Sequence, residues 1–407
     1  MPVGGYGSAD AMEARPAGTI VRRGDALADN VPQSLALPLA PADGRVVGAA
    51  RVLFPGDRAV PAVVIESDRS TESTAVDKSL APGAISEMLP RVRAMDMSAA
   101  IDLLRSRGVW ANRWTSPDLI AQLHATLRKP VDTVLCNVLD EDAALPLQTR
   151  IADNHPVEVT AGVLALASLT KARRAWAAVA NSADPACWAS LRRASAGTDL
   201  ALLPLQNDYP RAHPTLLLEL TDRALRPDRL PTEQNVLLLD AAAAAAVGRC
   251  FLNDGPMLAV PMAVRDRSRN KTHFLNVPVG TVFSDLLADL GVPADSIDLR
   301  AGNPLREQHV ASAAVAAGGE LTLTLLTPAP AVNPDPCIRC AWCVEGCPVH
   351  IQPAGLLEAA QQEDPYLAHQ YGLEACVECG ICSFVCPSHL PLLAGIRTLR
   401  AMQRSAR

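Results

Sequence analysis

Two stretches of sequence decide the fold of the C-terminal part of this chain, and they read Cys337-Ile-Arg-Cys340-Ala-Trp-Cys343-Val-Glu-Gly-Cys347-Pro348 and Cys376-Val-Glu-Cys379-Gly-Ile-Cys382-Ser-Phe-Val-Cys386-Pro387. Both have the spacing C-x2-C-x2-C-x3-C-P, so the segment is an internal repeat. Three thiolates at this spacing can wrap a loop around three corners of an iron–sulfur cubane. The fourth cysteine precedes a proline that begins a helix, and its thiolate points toward the neighbouring cluster. The sequence therefore predicts a ferredoxin-like module that carries two [4Fe–4S] clusters.

The same geometry predicts which cysteines share a cluster. The first set is Cys337, Cys340, Cys343 and Cys386, and the second is Cys347, Cys376, Cys379 and Cys382. In the alternative pairing each run holds its own cluster. A zinc-binding repeat is the other alternative, but zinc sites usually come as C-x2-C pairs separated by a longer loop.

Residues around the runs have simpler interpretations. The hydrophobic side chains of Trp342 and Phe384 are expected to shield the clusters. His350 and His389 each follow a run by three residues, and we expect them to be polar helix caps; the alternative is that they tune the cluster potential or couple it to pH. The three cysteines outside the runs, Cys136, Cys187 and Cys250, are interpreted as ordinary buried residues, because free cysteine behaves as a small core hydrophobe.

Composition excludes several classes of protein. A chain of 407 residues, 49% of them hydrophobic, is expected to form two to four packed domains. A net charge of −6 with scattered arginines argues against nucleic-acid binding. No apolar run approaches the roughly 20 residues needed to cross a bilayer. The N-terminus lacks the basic-then-apolar layout of a signal peptide, so we expect neither a transmembrane helix nor a leader.

The pattern along the chain predicts an α/β multidomain protein. Residues 1–30 are expected to be poorly ordered, and short β-branched runs at 45–47, 51–54 and 60–65 predict a small β-sandwich over 31–84, with a Ser/Thr-rich linker at 67–79. Helices at 99–107, 118–127 and 159–180 alternate with strands at 131–138, 199–204 and 235–240, which predicts a Rossmann-like α/β domain over 85–255. Strands at 257–265, 273–277 and 320–326, with a helix at 282–291, predict a β-grasp-like domain over 256–328. A proline-rich linker at 327–336 leads into the ferredoxin-like domain, assigned to 329–407.

With these motifs, the chain resembles the C subunit of the Rnf (also called Rsx) electron-transport complex, the RnfC/RsxC family. The residues that carry the resemblance are the two cysteine runs, the sequences CPVHIQP and CPSHLPL that begin at Cys347 and Cys386, and the helical spacer Gly355–Tyr371. The resemblance implies a hammerhead-like β-sandwich, a Rossmann-like flavin and NADH domain, a β-grasp (SLBB-like) domain and a bacterial 2[4Fe–4S] ferredoxin-like α-helical module. It also implies a peripheral position on the cytoplasmic side of the bacterial inner membrane. The implied partners are membrane-embedded and peripheral subunits of an Rnf-type complex, with ferredoxin or NADH as further candidates.

The chain departs from that family where its flavin loop is expected. A glycine-rich loop there would let backbone N–H groups approach phosphate, but this sequence reads Trp110-Ala-Asn-Arg-Trp-Thr-Ser-Pro117. The family's asparagine-glycine-acidic stretch reads Asn137-Val-Leu-Asp-Glu-Asp142, and its later asparagine-valine-glycine reads Asp240-Ala-Ala. Asn137, Glu141 and Tyr209 are candidate flavin contacts in one interpretation. We favour the other, in which the FMN and NADH site is degenerate and the domain is a scaffold.

The sequence thus favours a divergent electron-transfer subunit of an Rnf-type ion-translocating oxidoreductase, with no catalytic residue of its own. Two alternatives stay open. One is a flavin-dependent NADH or ferredoxin oxidoreductase, and the other is an adaptor whose clusters are purely structural.

Overall fold

The protein is described from a computed structural model covering residues 13–54, 58–67, 83–142, 144–219, 226–293, 297–319, 321–328 and 332–405. Within these residues the chain is a mixed α/β protein with four separate sheets and a helical C-terminal module. The predicted linker at 67–79 lies almost entirely outside the described residues, and so does the beginning of the N-terminal segment. Among the described residues, no helix is both long and apolar enough to cross a bilayer.

The N-terminal part is built from five antiparallel strands. They are β1 (Glu13–Ala14), β2 (Ile20–Val21), β3 (Ala28–Asp29), β4 (Gly44–Phe54) and β5 (Arg58–Ser67). β1 pairs with β3, and the other three form a sheet in the order β2-β4-β5 around the buried Val21, Leu27, Val46 and Val63. Strands thus occur within residues 13–30, where the composition predicts poor order. The two strands predicted at 45–47 and 51–54 are one, because the chain passes Gly48 with a β-bulge rather than a turn.

The next part is an α/β unit. Its elements are α1 (Gly83–Arg93), α2 (Met97–Ser106), α3 (Leu119–Thr126), β6 (Thr133–Asn137), α4 (Leu147–Asn154), α5 (Pro156–Thr170), β7 (Arg174–Ala180), α6 (Pro185–Ala194), β8 (Leu200–Leu205), α7 (Pro214–Glu219), a 3₁₀ turn at Pro231–Gln234, β9 (Val236–Asp240) and α8 (Ala241–Asn253). All four strands are parallel, in the order β8-β7-β6-β9. The predicted parallel sheet is therefore present.

One prediction in this part was wrong. The long amphipathic helix expected at 159–180 is a helix followed by the strand β7, which lies inside the sheet between β8 and β6. Helix α5 ends because Lys171 adopts a left-handed conformation, with φ of 54°. The helix is also buried on nearly every side rather than amphipathic, so the periodicity gave no mark of its end.

Helices α5 and α8 pack against each other through two glycines. A Cβ atom added at Gly162 would lie 2.0 Å from the carbonyl oxygen of Ala244, and one at Gly248 would lie 1.9 Å from that of Glu158. Neither position can accept a side chain unless the helices separate. This contact fixes the helix layer on one face of the sheet.

The third part is a five-stranded sheet with one helix. Its elements are β10 (Ala259–Asp266), β11 (Lys271–Pro278), α9 (Phe283–Asp289), β12 (Asp298–Ala301), β13 (Gln308–His309) and β14 (Thr322–Leu326). The strand order is β11-β10-β14-β12-β13, in which β10 and β14 are parallel and the other pairs antiparallel. The sequence predicted β10, β11, β14 and the helix, but it did not predict the two short strands β12 and β13.

The C-terminal module is helical and has a core of its own. Its helices are α10 (Trp342–Glu345), α11 (Pro353–Gln361), α12 (Pro365–Gln370), α13 (Ile381–Phe384) and α14 (Leu392–Ser405), with a 3₁₀ turn at Leu373–Ala375. The core is centred on Leu356, Leu373, Leu392 and Ile396, which are almost fully buried. Helices α11 and α14 are the long elements that follow the two cysteine runs, and they pack together across this core.

Candidate metal centre

The cysteine runs surround two separate cavities. Four cysteines line the first, which has a volume of about 220 Å³: Cys337, Cys340, Cys343 and Cys386. Four others line the second: Cys347, Cys376, Cys379 and Cys382. Each cavity thus takes three cysteines from one run and the last cysteine of the other. The lining of each cavity corresponds to the interleaved interpretation, and the binding of one cluster by each set stays a prediction.

The backbone of the two runs repeats the same local structure. In each run the residues before and after the second cysteine have a left-handed backbone conformation. The φ angles are 57° at Arg339 and 66° at Ala341 in the first run, and 53° at Glu378 and 79° at Gly380 in the second. Each loop then enters a one-turn helix, α10 or α13. Left-handed residues turn successive N–H groups toward the inside of a loop, where they can donate to sulfur. The N–H of Glu378 donates to the Sγ of Cys376 at 3.3 Å.

Burial differs sharply between the two sets. Cys337 and Cys340 are exposed, whereas every cysteine of the second cavity is about 93% buried or more. Burial raises the pKa of the Cys376 and Cys382 thiols to about 12.

The second cavity is enclosed because other parts of the fold pack on its ligand loop. The indole N–H of Trp114 donates to the backbone carbonyl of Val377 at 2.8 Å. The hydroxyl of Tyr209 donates to the backbone carbonyl of Cys379 at 2.5 Å. The two rings stack, with their centroids 6.1 Å apart. A Cβ atom at Gly380 would lie 1.8 Å from the carbonyl oxygen of Leu305. The loop therefore lies against both the α/β unit and the five-stranded sheet.

Two expectations about the surroundings of the runs were wrong. Trp342 is 55% exposed and Phe384 is 72% exposed, and neither is among the residues that line the two cysteine cavities. His350 and His389 are exposed residues in left-handed turns, with φ of 52° each, and they precede rather than cap α11 and α14. By contrast, burial of Cys136, Cys187 and Cys250 is confirmed.

The loop that replaces the glycine-rich stretch is held by an internal ion pair. The guanidinium of Arg113 forms two hydrogen bonds with the carboxylate of Asp240, at 2.8 and 2.6 Å, and a third with the carbonyl of Gly318 at 2.6 Å. Both charged side chains are at most 5% exposed. Burial alone raises the pKa of Asp240, but the charge and hydrogen bonds of Arg113 outweigh it and hold that pKa below its usual value. The carboxylate also accepts the N–H of Ala243 and so caps α8.

Comparison with known proteins agrees with this architecture. Residues 336–391 match the family described as a 4Fe-4S dicluster domain. The C subunit of the ion-translocating oxidoreductase complex of Pasteurella multocida is 26% identical over 290 residues, which are 69% of this chain and 34% of that protein. The C subunit of the Na(+)-translocating ferredoxin:NAD(+) oxidoreductase complex of Acetobacterium woodii is 24% identical over 314 residues, 75% of this chain and 68% of that one.

The chain is similar to these C subunits of ion-translocating oxidoreductase complexes over most of its length. It spans about a third of the length of the Pasteurella multocida relative. The fold is also similar to a chain in the crystal structure of NAD+-reducing [NiFe]-hydrogenase in the H2-reduced state, with a TM-score of 0.54 at 14% identity over 81% of this chain and 64% of that one.

The family resemblance implies an FMN site beside Asn137, Glu141 and Tyr209. The three candidate contacts are already engaged within the protein. Asn137 is fully buried and donates to the carbonyls of Thr115 and Ala212, while Glu141 forms an ion pair with Arg306 at 2.6 Å. Tyr209 donates to the cluster loop, as described above.

The side chains around the adjoining cavity are also engaged within the protein. Arg113, Trp114, Asp140 and Gln148 line the cavity there, and each of these side chains makes a hydrogen bond within the protein. Trp110 covers Gly318 so closely that a Cβ there would lie 2.2 Å from its ring. The residues present do not fit a flavin, and no electron-transfer step is assigned to one.

Sequence reasoning missed the residues that hold this region together. In the sequence Arg113 is only one residue of a loop that lacks glycine, and its partner Asp240 lies 127 positions away. Glu378, between the first two cysteines of the second run, was missed as well. One signal was available: the same position of the first run holds Arg339, so the repeat differs in charge there.

Proposed function

We propose that this chain is the electron-transfer subunit of a membrane-associated Rnf-type ion-translocating oxidoreductase. Two bound [4Fe–4S] clusters would supply one-electron transfers, the chemistry typical of such centres. The observation that carries the proposal is the pair of cavities, each lined by four cysteines. The first set is Cys337, Cys340, Cys343 and Cys386, and the second is Cys347, Cys376, Cys379 and Cys382.

The chain's own residues would divide the work between the two sites. The first set has ligands at the surface, where an external redox partner can approach them. The second set is enclosed by Trp114, Tyr209 and Leu305, which exclude water from its ligand loop. This asymmetry supports a relay with one contact face, in which the first site exchanges electrons with a partner and the second lies inward.

We infer that the upstream parts serve as a scaffold in the same complex. The assignments are a hammerhead-like unit over 31–84, a Rossmann-like unit over 85–255, a β-grasp unit over 256–328 and the ferredoxin-like module over 329–407. The partners would be membrane-embedded and peripheral subunits on the cytoplasmic side of the inner membrane.

The direct test is iron content after anaerobic purification. The wild-type chain should hold about eight irons, in two clusters. The double variant C347S/C382S removes two ligands from one interleaved set, so it should keep about four irons. The double variant C343S/C347S removes one ligand from each set and should hold far fewer. The control variant C250A, at a buried cysteine outside both sets, should keep about eight.

The flavin-dependent NADH oxidoreductase remains the competing function. It requires a flavin site, and the internal contacts of Asn137, Glu141 and Tyr209 argue against one. Adding NADH anaerobically to protein reconstituted with iron, sulfide and FMN separates the two functions. Bleaching of the cluster absorbance together with retained FMN would establish the enzyme; no bleaching is expected.

The structural adaptor is tested by a redox titration, in which clusters that take no electron at any accessible potential would leave only that role.

A further inference from the structure

The two halves of the cysteine repeat differ at one position, between the first and second cysteines. In the first run this position holds Arg339, which is exposed. In the second run it holds Glu378, whose side chain is 21% exposed and points to two arginines of α14. The backbone conformation is the same in both, with φ of 57° and 53°. The difference is therefore one of charge and burial and not of loop shape.

The two arginines bind the second ligand loop from outside the repeat. Arg400 contacts the carboxylate of Glu378 at 2.7 Å and also donates to the backbone carbonyl of Cys376. Arg397 contacts the other carboxylate oxygen at 3.4 Å and donates to the carbonyl of Arg306 at 2.6 Å. Both arginines lie beyond residues 336–391, the part that matches the dicluster family. The pattern of the repeat therefore does not account for them.

We propose that Arg400 and Glu378 are positioning residues that set the reduction potential of the second site in opposite directions. The inference rests on the proposed function, because it requires a cluster bound by Cys347, Cys376, Cys379 and Cys382. Reduction adds a negative charge to a site already held by four thiolates. A nearby cation stabilises the reduced state and raises the potential, whereas a nearby carboxylate lowers it. Solvent screens these charges only weakly, since each side chain is about four-fifths buried.

The test is a redox titration of the full chain in matched variants, in which electron paramagnetic resonance monitors the reduction of each cluster. In R400Q the reduction potential of the second site should fall. The ratio of reduced to oxidised site at a fixed applied potential should change about tenfold, which corresponds to a shift of about 59 mV. In E378Q it should rise by a similar amount. R400K keeps the charge and should restore most of the wild-type potential.

Arg339 provides the control within the same repeat. R339Q removes an exposed charge at the equivalent position of the first run, so it should shift either potential by much less than R400Q does. A purely structural role for Arg400 makes a different prediction: R400Q and E378Q would both weaken the loop, and both would change iron content without opposite shifts.

The outcomes are distinguishable. Opposite shifts in R400Q and E378Q, with about eight irons in each, support the inference. Shifts of the same sign, or none, with the irons retained, overturn it. Should R400Q lose iron, R397Q takes its place, and the absence of a fall in potential there overturns the inference. A wild-type chain without iron would instead refute the proposed function itself.

Discussion

The buried ion pair between Arg113 and Asp240 gives the sharpest prediction about stability. Replacing Arg113 with glutamine leaves a carboxylate with no measurable exposure and no opposite charge. Breaking a buried pair from one side costs about 3–5 kcal/mol, because the remaining charge has neither water nor an opposite charge beside it. We expect R113Q to lower the free energy of unfolding by about that amount, measured by urea denaturation under anaerobic conditions.

An exposed pair in the same unit is the matched control. Arg174 contacts Asp132 at 2.9 Å, and the side chains are 43% and 36% exposed. Removing such a pair usually changes stability by about 0–1 kcal/mol. R174Q should therefore unfold close to the wild type.

The pH dependence gives a second measurement on the same variant. In R113Q the buried Asp240 carboxyl loses the charge and hydrogen bonds of Arg113 that lower its pKa, so we expect that pKa to rise. A raised pKa in the folded state favours the protonated carboxyl, so the variant's deficit should be small near pH 4 and grow as pH rises toward 7. The double variant R113Q/D240N has no charge to bury, and its deficit should not vary with pH in this way. The reasoning fails if R113Q loses no more stability than R174Q at pH 7.

Three further predictions follow from local contacts. An iron chelator should remove about half of the iron quickly and the rest slowly, because Cys337 and Cys340 are exposed and the second set is not. The loss is monitored by the cluster absorbance, and a loss in a single phase would contradict this. G380A should release the second ligand loop and lower its iron content, since a Cβ would strike the carbonyl of Leu305. A341G at the equivalent position of the first run should have little effect, and equal iron in the two variants would refute the contact. G162A should destabilise the protein by about 1–3 kcal/mol through overpacking against α8, as seen by thermal unfolding. G83A, where a Cβ meets nothing within 4 Å, should not destabilise it, and equal melting of the two would count against the tight helix crossing.

The cysteine site was the most predictable feature because its information is local. The spacing within each run fixes the loop conformation, and the duplication brings the fourth cysteine of one run to the other. The grouping around each cavity, with Cys386 beside Cys337 and Cys347 beside Cys376, is the one expected from that spacing.

Features that depend on distant parts of the chain were not predictable in this way. Strand β7 was hidden because α5 is apolar on nearly all sides and continues into an alanine-rich strand without a proline or glycine between them. The pairs Arg113–Asp240 and Arg400–Glu378 join residues whose separation in sequence carries no periodic signal. The exposure of Trp342 and Phe384 likewise depends on the assembled fold, since hydrophobicity alone does not tell a buried ring from an exposed one.

The iron content of the cross-paired cysteine variants tests the central claim most directly. With about eight irons in the wild type, C347S/C382S should retain about four, and its remaining cluster should still be reduced by dithionite. C343S/C347S should retain far fewer. The opposite order, with more iron in C343S/C347S than in C347S/C382S, would contradict the interleaved sites, and zinc or no metal in the wild-type chain would contradict the account as a whole.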